Sequence, residues 1–444
     1  MNPELSWNGG TAPPGSSDRR QLKELSTLGS GSFAGLAHLQ KALKEQERFC
    51  RGLASHQLPP PLLDIPWLPS HSGGKKPRQQ GGGGSSRLGV AVSARQLAEA
   101  GQPAGEAADG SAAGAAGLAA HNVAMAQHER DVYQLLSQTG PGPLATQQQQ
   151  PQQGLAPAPV VAGISAARLM LVPDIRPRLP LTHPPFQMYV FADGDIVSGQ
   201  IAQEGSWEQH EAQQLVGKLE EVAQARGLKQ QELIFIDIGA NIGAHSMVVA
   251  ASGFAVLAFE PLHVNIMSLR HTLCANPALL PRVALIPKGL GNRTEACTIY
   301  TAAHNQGDGT MLCGVADSPE GYPGLAARGR LQVARLDELL QPKLMRLLAG
   351  KVGVVKIDVE GNEERVVEGG LRFFQTVRPP YIMAECSDDM MVKATGKPAS
   401  AFLLKMSGLG YEVRQHSFEG PVLDPAQLAD WPEPSINNYW FILR

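Results

Sequence analysis

IFIDIGANIG, residues Ile234 to Gly243, is the stretch that decides the fold. An apolar run carries one acidic residue near its end, turns on glycine, and passes straight into a helical stripe beginning at Ala244. A buried strand turning on glycine into a helix opens an open α/β sheet, and its backbone N–H groups can approach a ligand closely. A second apolar run, AVLAFE (Ala255 to Glu260), ends on a carboxylate 21 residues after Gly239. At that distance an acidic side chain accepts the hydroxyls of a ribose. The ligand implied by this unit is a nucleoside.

Outward from this unit the chain alternates strands and helices. Upstream, Phe186 to Phe191 reads as a short aromatic strand, and Trp207 to Ala225 carries Leu215, Leu219 and Val222 at helical spacing before Gly227. Downstream, Leu262, Ile266, Leu269 and Leu273 form one helix face that ends before Asn276-Pro277. Val283 to Ile286 is a third strand, and Thr298 to Thr301 a further short one. Gly307 to Gly329 reads as a long glycine-containing loop. After a helix over Leu336 to Leu348 comes the second strongly apolar run, Val352 to Val359. Helices at Glu363 to Thr376 and Ala399 to Leu409 alternate with strands at Tyr381 to Glu385, Tyr411 to Arg414 and Tyr439 to Leu443. Such alternation predicts a doubly wound α/β fold with right-handed crossovers and a mostly parallel, seven-stranded sheet. The last two strands lack an intervening helix, which predicts an antiparallel edge.

The first 176 of 444 residues have a different texture. Gly81 to Ser86 is GGGGSS, Ala104 to Ala120 is mostly Ala and Gly, and Gln147 to Gln153 is polyglutamine broken by Pro151. Segments of this kind bury too little apolar surface to offset the entropy of ordering them. The expectation is a largely disordered leader over 1–176 and a folded domain over 177–444. Two weakly amphipathic stretches, Gly35 to Gly52 and Ala119 to Leu136, stand within that leader as transient helices, with protein partners unassigned. Residues 1–180 hold 16 basic and 12 acidic residues, and residues 181–444 hold 22 and 29. An acidic folded part argues against a nucleic-acid substrate. Five cysteines, an odd number without a CxxC pair, argue against a disulfide framework or structural zinc and in favour of a reducing compartment such as the cytoplasm. No apolar stretch reaches membrane-spanning length.

A dinucleotide site calls for G-x-G-x-x-G, whose second glycine packs against pyrophosphate. In this chain Asn241 stands there. A side chain at that point suits a ligand without pyrophosphate, such as S-adenosyl-L-methionine, with Asp237 placed to meet its ammonium. The run VVKIDVEG (Val354 to Gly361) ends with Asp358 and Glu360 two apart, on one face if the chain is extended. By order it belongs beside the first strand, at the switch point where ligands bind. Two carboxylates there would raise one pKa and suit a general base. Glu360 as a cap on the following helix is the competing reading.

The blocks FIDIGANIGAHS (235–246), AFEPLHVNIMSLRHTLCANP (258–277) and VVKIDVEGNEERVVEGG (354–370) together resemble the FkbM family of S-adenosylmethionine-dependent methyltransferases. Gly205-Ser-Trp207-Glu208 resembles a segment that often precedes the first block. The resemblance implies a class I methyltransferase fold and O-methylation of a hydroxyl on a sugar or natural-product acceptor. It further implies that Asp237, Gly239, Asn241 and Gly243 line the methionine part of the cofactor, that Glu260 holds the ribose, and that Pro261 and Asn265 shape the adjacent wall. Gly289 and Leu290 would flank the adenine. Asp358 and Glu360 match the second block in type, and Glu385 is a third candidate for the acceptor pocket. Specificity is expected from Ser198 to Ser206 and from the Gly307 to Gly329 loop.

Other chemistries fit less well. His245, His263, His271 and His304 lie near the motifs, but none has a carboxylate at triad-like spacing. No aspartate cluster is visible for a metal, so none is assigned, and Cys386 has no basic neighbour in sequence that would activate a thiol. The rival function is a non-catalytic adenosyl-binding module whose leader serves as an interaction region.

Overall fold

The computed structural model describes residues 37–54, 62–66, 166–176, 181–302, 304–313, 325–428 and 437–444. All of them belong to one compact unit; a second unit, Pro69–Val132, lies wholly outside the described residues. In chain order the first elements are α1 (Ala37–Ala54), β1 (Leu62–Pro66), β2 (Ala166–Ile175), β3 (Phe186–Phe191), α2 (Ile196–Glu204) and α3 (Gln209–Arg226). The nucleotide unit follows as β4 (Ile234–Ile238), α4 (Ala244–Ala251), β5 (Ala255–Phe259), α5 (His263–Ala275) and β6 (Val283–Ile286). Then come β7 (Gly289–Leu290), β8 (Glu295–Ala302), β9 (Asn305–Cys313), β10 (Leu325–Ala334), α6 (Leu336–Leu339) and α7 (Pro342–Leu348). The last third holds β11 (Val352–Ile357), α8 (Glu363–Gly369), α9 (Leu371–Thr376), β12 (Tyr381–Cys386), α10 (Asp388–Thr395), α11 (Ala399–Gly408), β13 (Tyr411–Gln415), α12 (Pro425–Leu428) and β14 (Asn437–Leu443).

The main sheet has seven strands in the order β13-β14-β12-β11-β4-β5-β6. The pairings from β6 to β12 are parallel, and β14 runs antiparallel to both its neighbours. The sheet is therefore mixed, with the reversed strand near one edge as expected, although the short helix α12 stands between β13 and β14 where the sequence showed none. Alternation along each strand feeds two cores. Phe235, Val256, Val354 and Met383 pack on one face with Leu215, Leu219 and Leu269. Ile236, Leu257, Val355 and Ile382 pack on the other with Phe373, Phe402 and Met406. Because β4 is central, the ends of β4 and β11 lie side by side, with Lys356 paired to Asp237 and Ile357 to Ile238.

Three expectations need correction. First, Gly307 to Gly329 is not simply a loop: β8, β9 and β10 form a four-stranded sheet with β7, and only 314–324 in this span fall outside the described residues. Glycine content suggested irregular chain, yet Gly307 and Gly309 sit in β9 where neighbouring side chains press close to their Cα atoms.

Second, the boundary at 177 is too late. Helix α1 buries Leu39, Ala42 and Leu43 against β6, and β2 pairs with both β1 and β3 in a separate three-stranded sheet. Composition averaged over the leader hides an 18-residue stretch whose apolar spacing finds its surface more than 200 residues later. The low-complexity runs and the stretch 119–136 lie outside the described residues.

Third, four of the five cysteines are paired, Cys50 with Cys274 and Cys297 with Cys313, and only Cys386 is free. Spacing gave no hint of it, because one pair joins two helices 224 residues apart and the other crosses the β8–β9 ladder. No helix among the described residues is long and apolar enough to cross a membrane.

Candidate active site

Two tight turns meet at the carboxyl ends of the central strands. The first needs Gly239, at φ 83°: a Cβ there would come within 1.6 Å of the Asp358 carbonyl oxygen. Only glycine lets the β4 turn lie against the β11 turn. Asn241, at φ 53°, follows in a left-handed conformation that asparagine tolerates, with its Oδ1 accepting from the Ile242 N–H at 2.7 Å.

A cleft opens above these turns, lined by residues of both of them. One end is built around Glu260, which is buried at the end of β5. Its Oε2 accepts from the Asn241 N–H at 2.8 Å and its Oε1 from the Leu262 N–H at 2.8 Å. Burial pushes this carboxyl up to about 8 despite those amides. Asn265, near the start of α5, donates to the Gly307 carbonyl at 2.7 Å and reaches Glu260 at 3.4 Å. Gly307 N–H in turn donates to Asp195, the cap of α2, at 2.9 Å. The β9 strand is thus tied to both the α2 cap and, through Asn265, Glu260.

Of the nine residues expected to hold the cofactor, Gly239, Asn241, Glu260, Pro261, Asn265, Gly289 and Leu290 line this cleft. Asp237 and Gly243 do not. Asp237 is buried beneath the turn, where Oδ2 accepts from the Ser246 hydroxyl at 2.6 Å and Oδ1 has no partner. Gly243, at φ 91°, opens α4, and a Cβ there would press on the Leu269 side chain at 2.5 Å. Its place is helix packing.

The other end of the cleft is acidic. One oxygen from each of Asp358, Glu360 and Glu385 lies within 4.8 Å of the others. The extended-strand argument for Asp358 and Glu360 is wrong in detail: β11 stops at Ile357, and Glu360 sits at φ 55° in the turn into α8. The turn still brings the two together. Glu360 is not the helix cap; Glu363 fills that region, accepting from the Val359 and Gly361 N–H groups at 3.0 and 3.2 Å. Burial first, then Asp308, Asp358 and Glu385, raise the Glu360 carboxyl well above the usual range. Burial together with Asp358 and Glu208 does the same to Glu385. Three carboxylates at this spacing are also a set that a divalent cation could bridge, so the cluster missing from the sequence reading is present in the fold.

Three residues outside that expected set complete the site. Lys356 is buried and pairs with Asp358 at 2.6 Å. Burial would lower its pKa, but Asp358, Asp237 and Glu208 outweigh burial and hold the ammonium above its ordinary value. Glu208 begins α3 at φ 40°, takes a hydrogen bond from Trp207, and lies 3.5 Å from His245 Nε2. Burial, then Glu211, push Glu208 up to about 8, while burial and Lys356 hold the buried His245 well below the usual value. The sequence separations, 37 residues from Glu208 to His245 and 148 to Lys356, gave no sign of this grouping. The Trp207-Glu208 resemblance was the one available signal.

Ser198, expected near the acceptor, is instead buried and accepts from the Phe191 N–H at 2.9 Å. Among the four histidines near the motifs, His271 is buried against Phe49 and Tyr189 rather than at the cleft.

Residues 237–413 match the family model described as the methyltransferase FkbM domain. No curated protein matches the chain. Solved structures similar to it include a methyltransferase FkbM from Methylobacillus flagellatus, 16% identical over 47% of this chain and 43% of that one, with a TM-score of 0.29. A precorrin-6y C5,15-methyltransferase from Geobacter metallireducens is 15% identical over 53% of this chain and 89% of its own, with a TM-score of 0.27. An rRNA methylase from Streptococcus thermophilus is 12% identical over 52% and 95%, with a TM-score of 0.28.

Proposed function

We propose that the protein is an S-adenosylmethionine-dependent O-methyltransferase acting on a neutral hydroxyl-bearing acceptor, a sugar or small-molecule scaffold. The observation that carries this reading is that one cleft runs from Glu260 and Asn265 to Asp358 and Glu360. A ribose-type carboxylate and a set of acid–base groups thus share one wall.

The residues fit an adenosyl ligand. Asn265 leaves a buried Oδ1 without a partner, and the two Glu260 oxygens retain lone pairs for ribose hydroxyls. Asn241 and Gly239 would face the methionine part, with Gly289 and Leu290 at the base. Asp237 and Gly243 would then act from behind the turn, shaping it. When bound, the cofactor supplies an electrophilic methyl group on a sulfonium.

The division of labour among the carboxyl groups follows from their surroundings. Burial and neighbouring carboxylates raise Glu360 and Glu385 well above their ordinary values, which favours the protonated forms that can donate hydrogen bonds to acceptor oxygens. Asp358, in an ion pair with Lys356, is the group left to take the hydroxyl proton as the oxygen attacks. Lys356 holds Asp358 at the end of β11 and balances the charge of its neighbours. Glu260, Asp308, Asp358 and Glu360 outnumber Lys288 in the lining of the cleft, a balance that disfavours phosphorylated acceptors.

Incubation of the purified protein with cell extract and methyl-labelled S-adenosylmethionine, followed by mass spectrometry of labelled products, tests the reading. A methyl ether on a neutral acceptor is the expected product. Cofactor binding without transfer to any hydroxyl compound would favour a binding module instead.

A further inference from the structure

Helix α1 is joined to the nucleotide-binding half of the sheet by more than packing. Cys50, in its last turn, faces Cys274, in the last turn of α5, with Cα atoms 5.2 Å apart. Beside them the buried Gln46 side chain donates to the Arg270 carbonyl at 3.1 Å and lies 3.4 and 3.7 Å from the two sulfurs. Leu39, Ala42 and Leu43 are already seated in the core, so the bond closes over an interface that packing has formed. The second pair, Cys297 and Cys313, stands directly opposite across the β8–β9 ladder, with Cα atoms 4.3 Å apart. Both separations are within or close to the range a disulfide spans without backbone movement. The fifth thiol, Cys386, is 1% exposed, and burial raises its pKa well above the ordinary value. No reactive thiol is left at the surface.

The pairs brace the cleft from two sides. The helix that holds Cys274 carries Asn265 at its other end, and β6, on which α1 lies, runs into Gly289 and Leu290. The strand that holds Cys313 carries Gly307 and Asp308.

We propose that Cys50–Cys274 and Cys297–Cys313 are oxidative modification sites, closed in the cell by a disulfide donor of the thiol-oxidoreductase class, and that the enzyme folds and works in an oxidising compartment. In each closure two thiols lose two protons and two electrons, one S–S bond forms, and the donor disulfide is reduced to a dithiol. Disulfides persist in such compartments and are reduced in the cytosol. This proposal stands against the reducing compartment expected from the cysteine count. The effect on cofactor binding rests on the function proposed above; the pairing does not.

The test uses protein taken from its own cells with thiols trapped by iodoacetamide at lysis, then denatured, alkylated with a second, heavier reagent and digested without reductant. Mass spectrometry is expected to find the Cys50 and Cys274 peptides joined, the Cys297 and Cys313 peptides joined, and Cys386 alone carrying either label. Iodoacetamide on all of the other four cysteines overturns the proposal. In a second arm, S-adenosylhomocysteine is titrated calorimetrically into oxidised and dithiothreitol-treated protein. Reduction is expected to weaken binding on the order of tenfold, within the usual range of coupling between sites, and the Cys50→Ser/Cys274→Ser variant should reproduce most of that loss without reductant. Equal affinity in all forms overturns the bracing of the cleft. Absence of binding in every form, with the joined peptides present, overturns the adenosyl reading and upholds the oxidative pairing.

Discussion

Glu260→Gln separates the structural from the ligand-binding work of this side chain. Glu260 receives two backbone N–H groups, one per oxygen, each at 2.8 Å. Glutamine keeps the shape but has one accepting oxygen, so either the Asn241 or the Leu262 N–H must face an NH2 group. A buried donor left without its acceptor costs about 1–3 kcal/mol. For a domain of this size each kcal/mol moves Tm by roughly 2–4 °C, so a fall of roughly 2–12 °C is expected in a thermal melt. The second consequence concerns the ligand. Ribose hydroxyls donating to an uncharged carboxyl group are worth roughly 0.5–1.5 kcal/mol, so calorimetric affinity for S-adenosylhomocysteine should drop roughly 2- to 13-fold. A lower Tm with unchanged affinity would make Glu260 a structural brace of the turn and refute its role at the ribose. Unchanged values of both would refute the geometry itself.

Other substitutions and conditions probe the remaining parts. Asp358→Asn should lower turnover by roughly 100-fold or more, the usual scale for losing a general base, and leave cofactor affinity within a few fold; a collapse of affinity in calorimetry would move Asp358 into the binding site. Gly239→Ala should cost about 1–2 kcal/mol for the left-handed backbone alone and more for the contact with the Asp358 carbonyl, read as a loss in denaturant midpoint; tolerance of alanine would show that the two turns do not touch. Chelation with EDTA should leave transfer unchanged if Asp358 with Lys356 is the base; a loss restored by magnesium would assign the three-carboxylate cluster to a cation. Glu208 and Glu260, pushed up to about 8 by burial, and Glu363, pushed to about 7, hold protons that the unfolded chain releases near 4.5. Their contribution to stability is full below that value and is lost as pH rises toward 8. Tm should fall between pH 5.5 and 8.5, and a rise across this window would contradict the burial argument.

What was legible in the sequence was local. The strand and glycine turn from Ile234 to Gly243, the carboxylate at Glu260, and the Asp358 block each span a few residues whose meaning is set by period and spacing, and each forms part of the cleft or its supporting turn. What was not legible depends on contacts between distant segments. Glu208, His245 and Lys356 meet because α3, α4 and β11 are packed around one strand end, and no spacing along the chain encodes that. The same holds for Cys50 and Cys274, and for α1, whose few apolar residues look inadequate until β6 is there to receive them. The β9 strand was missed for the opposite reason. Its glycines signalled a loop, whereas two of them mark places where neighbouring side chains crowd the backbone.

The central claim is methyl transfer to a hydroxyl oxygen from the cleft that Glu260 and Asp358 share. The most direct measurement is the product formed when purified protein, methyl-labelled S-adenosylmethionine and an extract fraction of neutral glycans and small molecules are combined, with Asp358→Asn run in parallel. A labelled methyl ether that the wild-type protein makes and the variant makes at about one-hundredth of the rate or less is the predicted result. Label on nitrogen or carbon, or equal label from both proteins, would contradict it.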